Sequence, residues 1–147
     1  LLFEDYTEVR GWMNHLLDRV ERLNRPCCLS HIDSVADNFL FLPDGTVRLI
    51  DWEYSAMHDP LIDISMCSIY SYYDAEELDR LLEVYLERIP TPEERIATYA
   101  YAALGGFLWC LWAVFKSTEG EEFGEYTIIM YHYAKQYYKR IARLFPD

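Results

Sequence analysis

The residues of this chain best suited to chemistry lie in His31-Ile32-Asp33-Ser34-Val35-Ala36-Asp37-Asn38 and, after a short apolar stretch, Ile50-Asp51-Trp52-Glu53. Asp33 stands five residues before Asn38, and Asp51 thirteen residues after it. One loop and the segment behind it thus carry a carboxylate able to accept a proton and two hard oxygen ligands of the kind Mg²⁺ prefers. Phosphoryl transfer needs those groups, because the protein does little covalent work: a carboxylate takes the proton of the attacking alcohol, and the metal is held against the phosphates. His-x-Asp-x-x-x-x-Asn with a later Asp is the spacing of a phosphotransfer catalytic loop. Asp33 is therefore the candidate base, and Asn38 and Asp51 are the candidate metal ligands. His31 suits bracing of the loop better than proton transfer, since an aspartate already has that role. An isolated His-x-Asp, or one aspartate capping a strand, would mean little; the joint spacing is what is rare.

The intervening residues must bring these groups together. Phe39 to Leu42 and Thr46 to Ile50 read as two strands around a Pro43-Asp44-Gly45 turn, and closing that hairpin would set Asn38 and Asp51 side by side.

With these motifs in place, the chain resembles the choline kinase branch of the aminoglycoside and choline phosphotransferase family, the bacterial choline kinases in particular. The resemblance rests on His31 to Asn38, on Ile50-Asp51-Trp52-Glu53-Tyr54-Ser55 followed by Asp59-Pro60 and Asp63, and on the order of Trp109-Cys110-Leu111-Trp112, Phe123-Gly124 and Tyr133-Ala134. It implies the C-terminal lobe of a protein-kinase-like fold, with ATP as phosphoryl donor and Mg²⁺ as cofactor. It also implies Asp33 as catalytic base, Asn38 and Asp51 as metal ligands, and Asp63 as a brace for the catalytic loop. Glu53 falls beside the metal site, with its role open.

Family members carry an N-terminal lobe with a small sheet, a phosphate-covering loop, a lysine for the nucleotide phosphates and a hinge for the adenine. Only thirty residues precede His31 here, and they read as one helix: Asp5-x-x-Glu8 suits a capping box, and Trp12, Leu16, Leu17, Val20 and Leu23 recur at helical spacing. The chain also begins at Leu1. The expectation is one domain over residues 1–147, a catalytic and substrate-binding lobe without its nucleotide-binding partner and inactive alone. The surface facing the absent lobe could drive self-association.

Beyond the hairpin the pattern is helix after helix. Asp59-Pro60 supplies an N-cap and a first-turn proline for a helix to about Tyr72, and Asp74 with Glu77 starts another to about Ile89. Thr91-Pro92-Glu93-Glu94 opens a long helix to about Lys116, and Glu125 to Leu144 forms the last. The predicted fold class is mainly α (α+β), a helical lobe with one small catalytic β-hairpin.

On the long helix, Trp109 and Trp112 are three residues apart and share a face. Aromatic faces attract quaternary ammonium groups, at about 0.5–2 kcal/mol per contact. Two tryptophans at this spacing also suit a plain core. The resemblance places the family's choline-box tryptophans at these two positions and a tyrosine at Tyr133, which makes choline the expected substrate. Seven residues after Asp63, where many choline kinases carry a glutamate, this chain has Tyr70, able to form an aromatic wall but not to carry a full charge. Ethanolamine and aminoglycosides, whose ammonium groups want acceptors, are the less suited alternatives. A non-catalytic choline-binding or interaction module is the alternative from outside enzymology.

Composition sets further bounds. A chain of 147 residues with 52% hydrophobic and 16% aromatic residues can build a real core. A net charge of −12 disfavours nucleic acid as a partner and suits a cationic ligand, although acidic helix faces account for most of it. Cys27, Cys28, Cys67 and Cys110 form no C-x-x-C pair and no zinc or disulfide pattern. Ala97 to Phe115 is nineteen uncharged residues, nearly a membrane span, yet its Gly105-Gly106 pair and two tyrosines favour a buried helix against which another helix can approach closely. No stable membrane insertion is expected, and the cytoplasm is the expected compartment.

Overall fold

The computed structural model describes residues 3–146. Its elements run α1 (Tyr6–Arg22), β1 (Cys28–Ser30), a 3₁₀ turn (Ala36–Asn38), β2 (Phe39–Phe41), β3 (Val47–Leu49), β4 (Ala56–His58), α2 (Leu61–Tyr70), α3 (Ala75–Leu86), α4 (Pro92–Ser117) and α5 (Tyr126–Leu144). The expected helices and hairpin are present. A second antiparallel pair was not expected: β1 and β4 join with Leu29 opposite Met57 and enclose the hairpin, whose own register sets Leu40 opposite Arg48. Three-residue strands are too short to show alternation, and β1 meets its partner only after the whole hairpin has intervened.

Local chemistry explains most helix starts. At α3 the Asp74 carboxylate accepts from the Glu76 and Glu77 backbone N–H groups, while Glu77 accepts from the Asp74 N–H. Thr91 and Glu94 form the same reciprocal box at α4, with Pro92 in the first turn. Asp59 caps α2 through its Oδ1 and the Leu61 N–H at 3.1 Å. Its other oxygen accepts from Arg25 Nε at 2.9 Å and from the Tyr101 hydroxyl at 3.3 Å. Helices α2 and α3 stop earlier than predicted, at Tyr70 and Leu86, because Tyr72 (φ 56°) and Glu87 (φ 54°) take left-handed conformations that end the i to i−4 ladder.

The capping box expected at Asp5 and Glu8 does not form. Asp5 sits at the N-cap of α1, but its carboxylate accepts from the Tyr131 hydroxyl at 2.8 Å and from the Lys135 ammonium on α5. A cationic donor makes a stronger hydrogen bond than a neutral backbone amide, so the contact across the fold wins over the local one.

Helix α4 is the centre of the core. By length and composition it is the one helix among the described residues able to cross a membrane, and 61% of its most apolar window is buried inside the fold. Tyr99, Ala100, Ala103 and Cys110 pack with Met130, Ala134 and Tyr137 of α5, Met66 and Ile69 of α2, and Met13 and Leu16 of α1. The two glycines permit this closeness. A Cβ on Gly106 would lie 2.7 Å from the Met130 carbonyl oxygen, and one on Gly105 would lie 2.6 Å from Met66 Sδ.

Candidate active site

Residues 31–38 form the loop between β1 and the hairpin, and three of their groups hang from the first turn of α2. The Asp63 carboxylate accepts from the His31 N–H at 3.1 Å and the Ile32 N–H at 2.6 Å, and the Asp63 carbonyl accepts from the Ser34 hydroxyl at 2.8 Å. This fastening holds Ile32 at φ 71°, a costly conformation for a β-branched residue. The sequence contains no sign of that strain.

His31 is 1% exposed, and its Nε2 lies 2.7 Å from the Ile50 carbonyl oxygen, which requires that nitrogen to carry the proton. Its ring meets the edge of Trp52 at 4.9 Å. It therefore ties the loop to the far end of the hairpin. There the Ile50 N–H donates to the Asn38 carbonyl at 3.0 Å, and Asp51 follows at φ 61°, exposed. Glu53 is also exposed, in the turn closed by the Ser55 N–H on the Trp52 carbonyl.

Asp33 receives a donor on each oxygen: Asn38 Nδ2 on Oδ2 at 3.1 Å, and the Tyr70 hydroxyl on Oδ1 at 2.9 Å. Asn38 Nδ2 also donates to the Asp33 carbonyl at 2.9 Å. With its nitrogen committed twice, the Asn38 amide has Oδ1 as the atom to offer a cation. Among the described residues no three His, Cys, Asp or Glu side chains converge on a cage. Mg²⁺ is usually held by one or two protein oxygens together with substrate phosphates and water. The donor set of Asn38 and Asp51 fits such an ion.

Asp33 lines a cavity of about 510 Å³ whose lining also includes Ile32, Tyr54, Met66, Trp109 and Trp112, together with Leu17, Val20 and Glu21 of α1. Tyr54, Trp109 and Trp112 of this lining are in ring contact, and Phe123, outside it, packs behind Trp112. Trp109 meets Tyr54 edge-on at 6.2 Å and Trp112 edge-on at 5.3 Å, and Trp112 meets Phe123 at 5.2 Å. A shallower concavity of about 440 Å³ along α5, lined by His132, Lys135, Lys139 and Arg143, holds none of the candidate residues.

Two of the aromatic candidates lie elsewhere. Tyr133 is buried away from the cavity lining, with its hydroxyl donated to the Tyr73 carbonyl at 3.0 Å and its ring stacked on Tyr137. Tyr70 is likewise outside the lining, tilted against Trp109 at 5.9 Å with its hydroxyl on Asp33. Burial first, and then the Asp33 carboxylate, push the Tyr70 hydroxyl's pKa far up, so this group remains a donor. Sequence reasoning missed Tyr54, Met66 and Gly105 in the lining; the Gly105-Gly106 pair was a sign of close packing there, but not of which elements would meet.

Comparisons with known proteins give the family and the fold to which the chain is similar. Over 114 residues the chain is 35% identical to protein LicA of Haemophilus influenzae, an alignment spanning 74% of this chain and 41% of that protein. The crystal structure of choline kinase LicA from Streptococcus pneumoniae superposes with a TM-score of 0.78 at 33% identity, over 94% of this chain and 49% of that one. A LicA in complex with AMP superposes at 0.77 with 31% identity, over 94% of this chain and 48% of that one. The chain thus spans about half the length of the relatives it matches, and its fold is the helical lobe of a kinase-like fold. The phosphotransferase enzyme family model matches residues 2–97, most of the chain and all of the Asp33, Asn38 and Asp51 unit, and the chain belongs to that family.

Proposed function

We propose that this chain supplies the acceptor and metal half of a kinase that moves the terminal phosphoryl group of ATP to the hydroxyl of a small cationic alcohol, with choline as the leading substrate. The observation that carries the reading is Asp33 opening onto a cavity walled by Trp109 and Trp112. A trimethylammonium group seated against the indoles would be attracted by their negative faces, leaving the hydroxyl end free to reach the carboxylate. Asp33 then accepts the hydroxyl proton as the oxygen attacks. Asn38 Oδ1 and the Asp51 carboxylate would hold Mg²⁺, which when bound neutralises charge on the phosphates. His31 and Asp63 keep the loop in place.

The predominantly apolar and aromatic lining favours choline over ethanolamine, whose primary ammonium needs three acceptors, and over aminoglycosides. Nucleic acid does not suit a chain of net charge −12. ATP makes the cytoplasm the natural compartment. The 147-residue chain alone is not expected to turn over at a useful rate, because it spans only about half the length of the relatives it matches.

The test is an ATP-coupled assay of the chain within its full-length protein, with choline and ethanolamine compared. Choline should have the higher kcat/KM, and Asp33→Asn should lower kcat by roughly 10²- to 10⁴-fold with choline still bound. A preference for ethanolamine overturns the substrate, and an active Asp33→Asn variant overturns the base.

A further inference from the structure

Both oxygens of Asp33 are gripped, from two directions. Asn38 Nδ2, from the end of the same loop, holds Oδ2 at 3.1 Å, and the Tyr70 hydroxyl, from the last turn of α2, holds Oδ1 at 2.9 Å. Tyr70 is outside the cavity lining whereas Asp33 is part of it, so the tyrosine reaches the carboxylate from beyond the acceptor's space. The Tyr70 ring is set against Trp109, 5.9 Å away and tilted by 55°.

A carboxylate held at one oxygen still turns about its terminal torsion, which has a broad energy well. Held at both, it keeps one plane. Each oxygen has two acceptor positions, so one donor apiece leaves room for an incoming hydroxyl. We infer that Tyr70 is a positioning residue whose hydroxyl, working against Asn38, fixes the plane of the Asp33 carboxylate so that a free lone pair is presented to the cavity. This rests on the phosphotransfer reading for its catalytic consequence, but not for its geometry. Because Tyr70 touches both Asp33 and Trp109, it also makes the base and the ammonium wall one rigid unit.

Tyr70→Phe keeps the ring and removes the hydroxyl. In the full-length protein its kcat for choline should fall about 10- to 100-fold, the loss expected of a misaligned reacting group. The choline Kd by calorimetry should stay within about twofold of wild type, a change of under about 0.5 kcal/mol. Tyr70→Gln, which retains a donor, should recover part of kcat. A crystal structure of Tyr70→Phe should show the Asp33 carboxylate turned or spread over several orientations. An unchanged kcat overturns the inference, as does a raised choline Kd with kcat intact, which would make Tyr70 a wall of the cage. If the wild-type protein phosphorylates no amino alcohol, the proposed function falls, and the Asp33 orientation still decides the role of Tyr70: a single wild-type orientation in Tyr70→Phe overturns it.

Discussion

The Asp63 carboxylate accepts the backbone N–H of Ile32 at 2.6 Å, and Ile32 is the residue held at φ 71° immediately before the candidate base. A left-handed β-branched residue persists only where its surroundings over-determine it. Asp63 does so by taking the His31 N–H as well. Asp63→Ala should release the loop and lower stability by about 2–4 kcal/mol, since hydrogen bonds to a charged group contribute about 1.5–3 kcal/mol each. Urea unfolding checks this. Asp63→Asn, which can keep a single acceptor, should lose less.

Glu94 gives the fold an acid-sensitive point. Arg88 grips it through two hydrogen bonds, at 2.6 and 2.8 Å, and this contact, ahead of the opposing effect of burial, holds its carboxyl at a pKa of about 2. The folded value lies below the ordinary 4.5, so the stabilisation is fully present above about pH 4.5 and is lost as pH falls towards 2. With Arg88 half exposed and the pair screened by water, the loss should be about 1–3 kcal/mol. Unfolding free energies measured between pH 6 and pH 2.5 should fall less steeply in Glu94→Gln than in wild type.

The adjacent glycines of α4 should respond differently to a methyl group. Gly106→Ala drives a Cβ against the Met130 carbonyl oxygen at 2.7 Å, backbone that cannot move without separating α4 from α5. A loss of about 1–3 kcal/mol is expected. Gly105→Ala meets the Met66 side chain, which is flexible, and alanine favours helix by up to about 1 kcal/mol over glycine. Its thermal midpoint should stay closer to wild type, while the cavity it lines becomes smaller.

The tryptophans should separate wall from core. Trp112 is 36% exposed and lines the cavity, so Trp112→Leu should leave the fold intact. Choline Kd measured by calorimetry should rise about 2- to 30-fold, the equivalent of one ammonium–aromatic contact. An unchanged Kd would sink the cage reading for this residue.

What the sequence by itself determined is what depends on near neighbours. The phosphotransferase family is legible because the acid, amide and second acid of its candidate loop lie within twenty residues. The starts of α3 and α4 are legible because Asp74 with Glu77, and Thr91 with Glu94, satisfy each other within one helical turn. The tertiary structure alone decided the pairings that cross the chain. Asp5 abandons its local box for Tyr131 and Lys135 on α5, β1 finds β4 around the hairpin, and Tyr70 reaches back 37 residues to Asp33. For Asp5 this is a competition between a local partner and distant ones, which the distant donors win; for β1 and Tyr70 the partner exists only once the chain has packed. Spacing along the chain shows which groups are available; only the packed helices decide which of them meet.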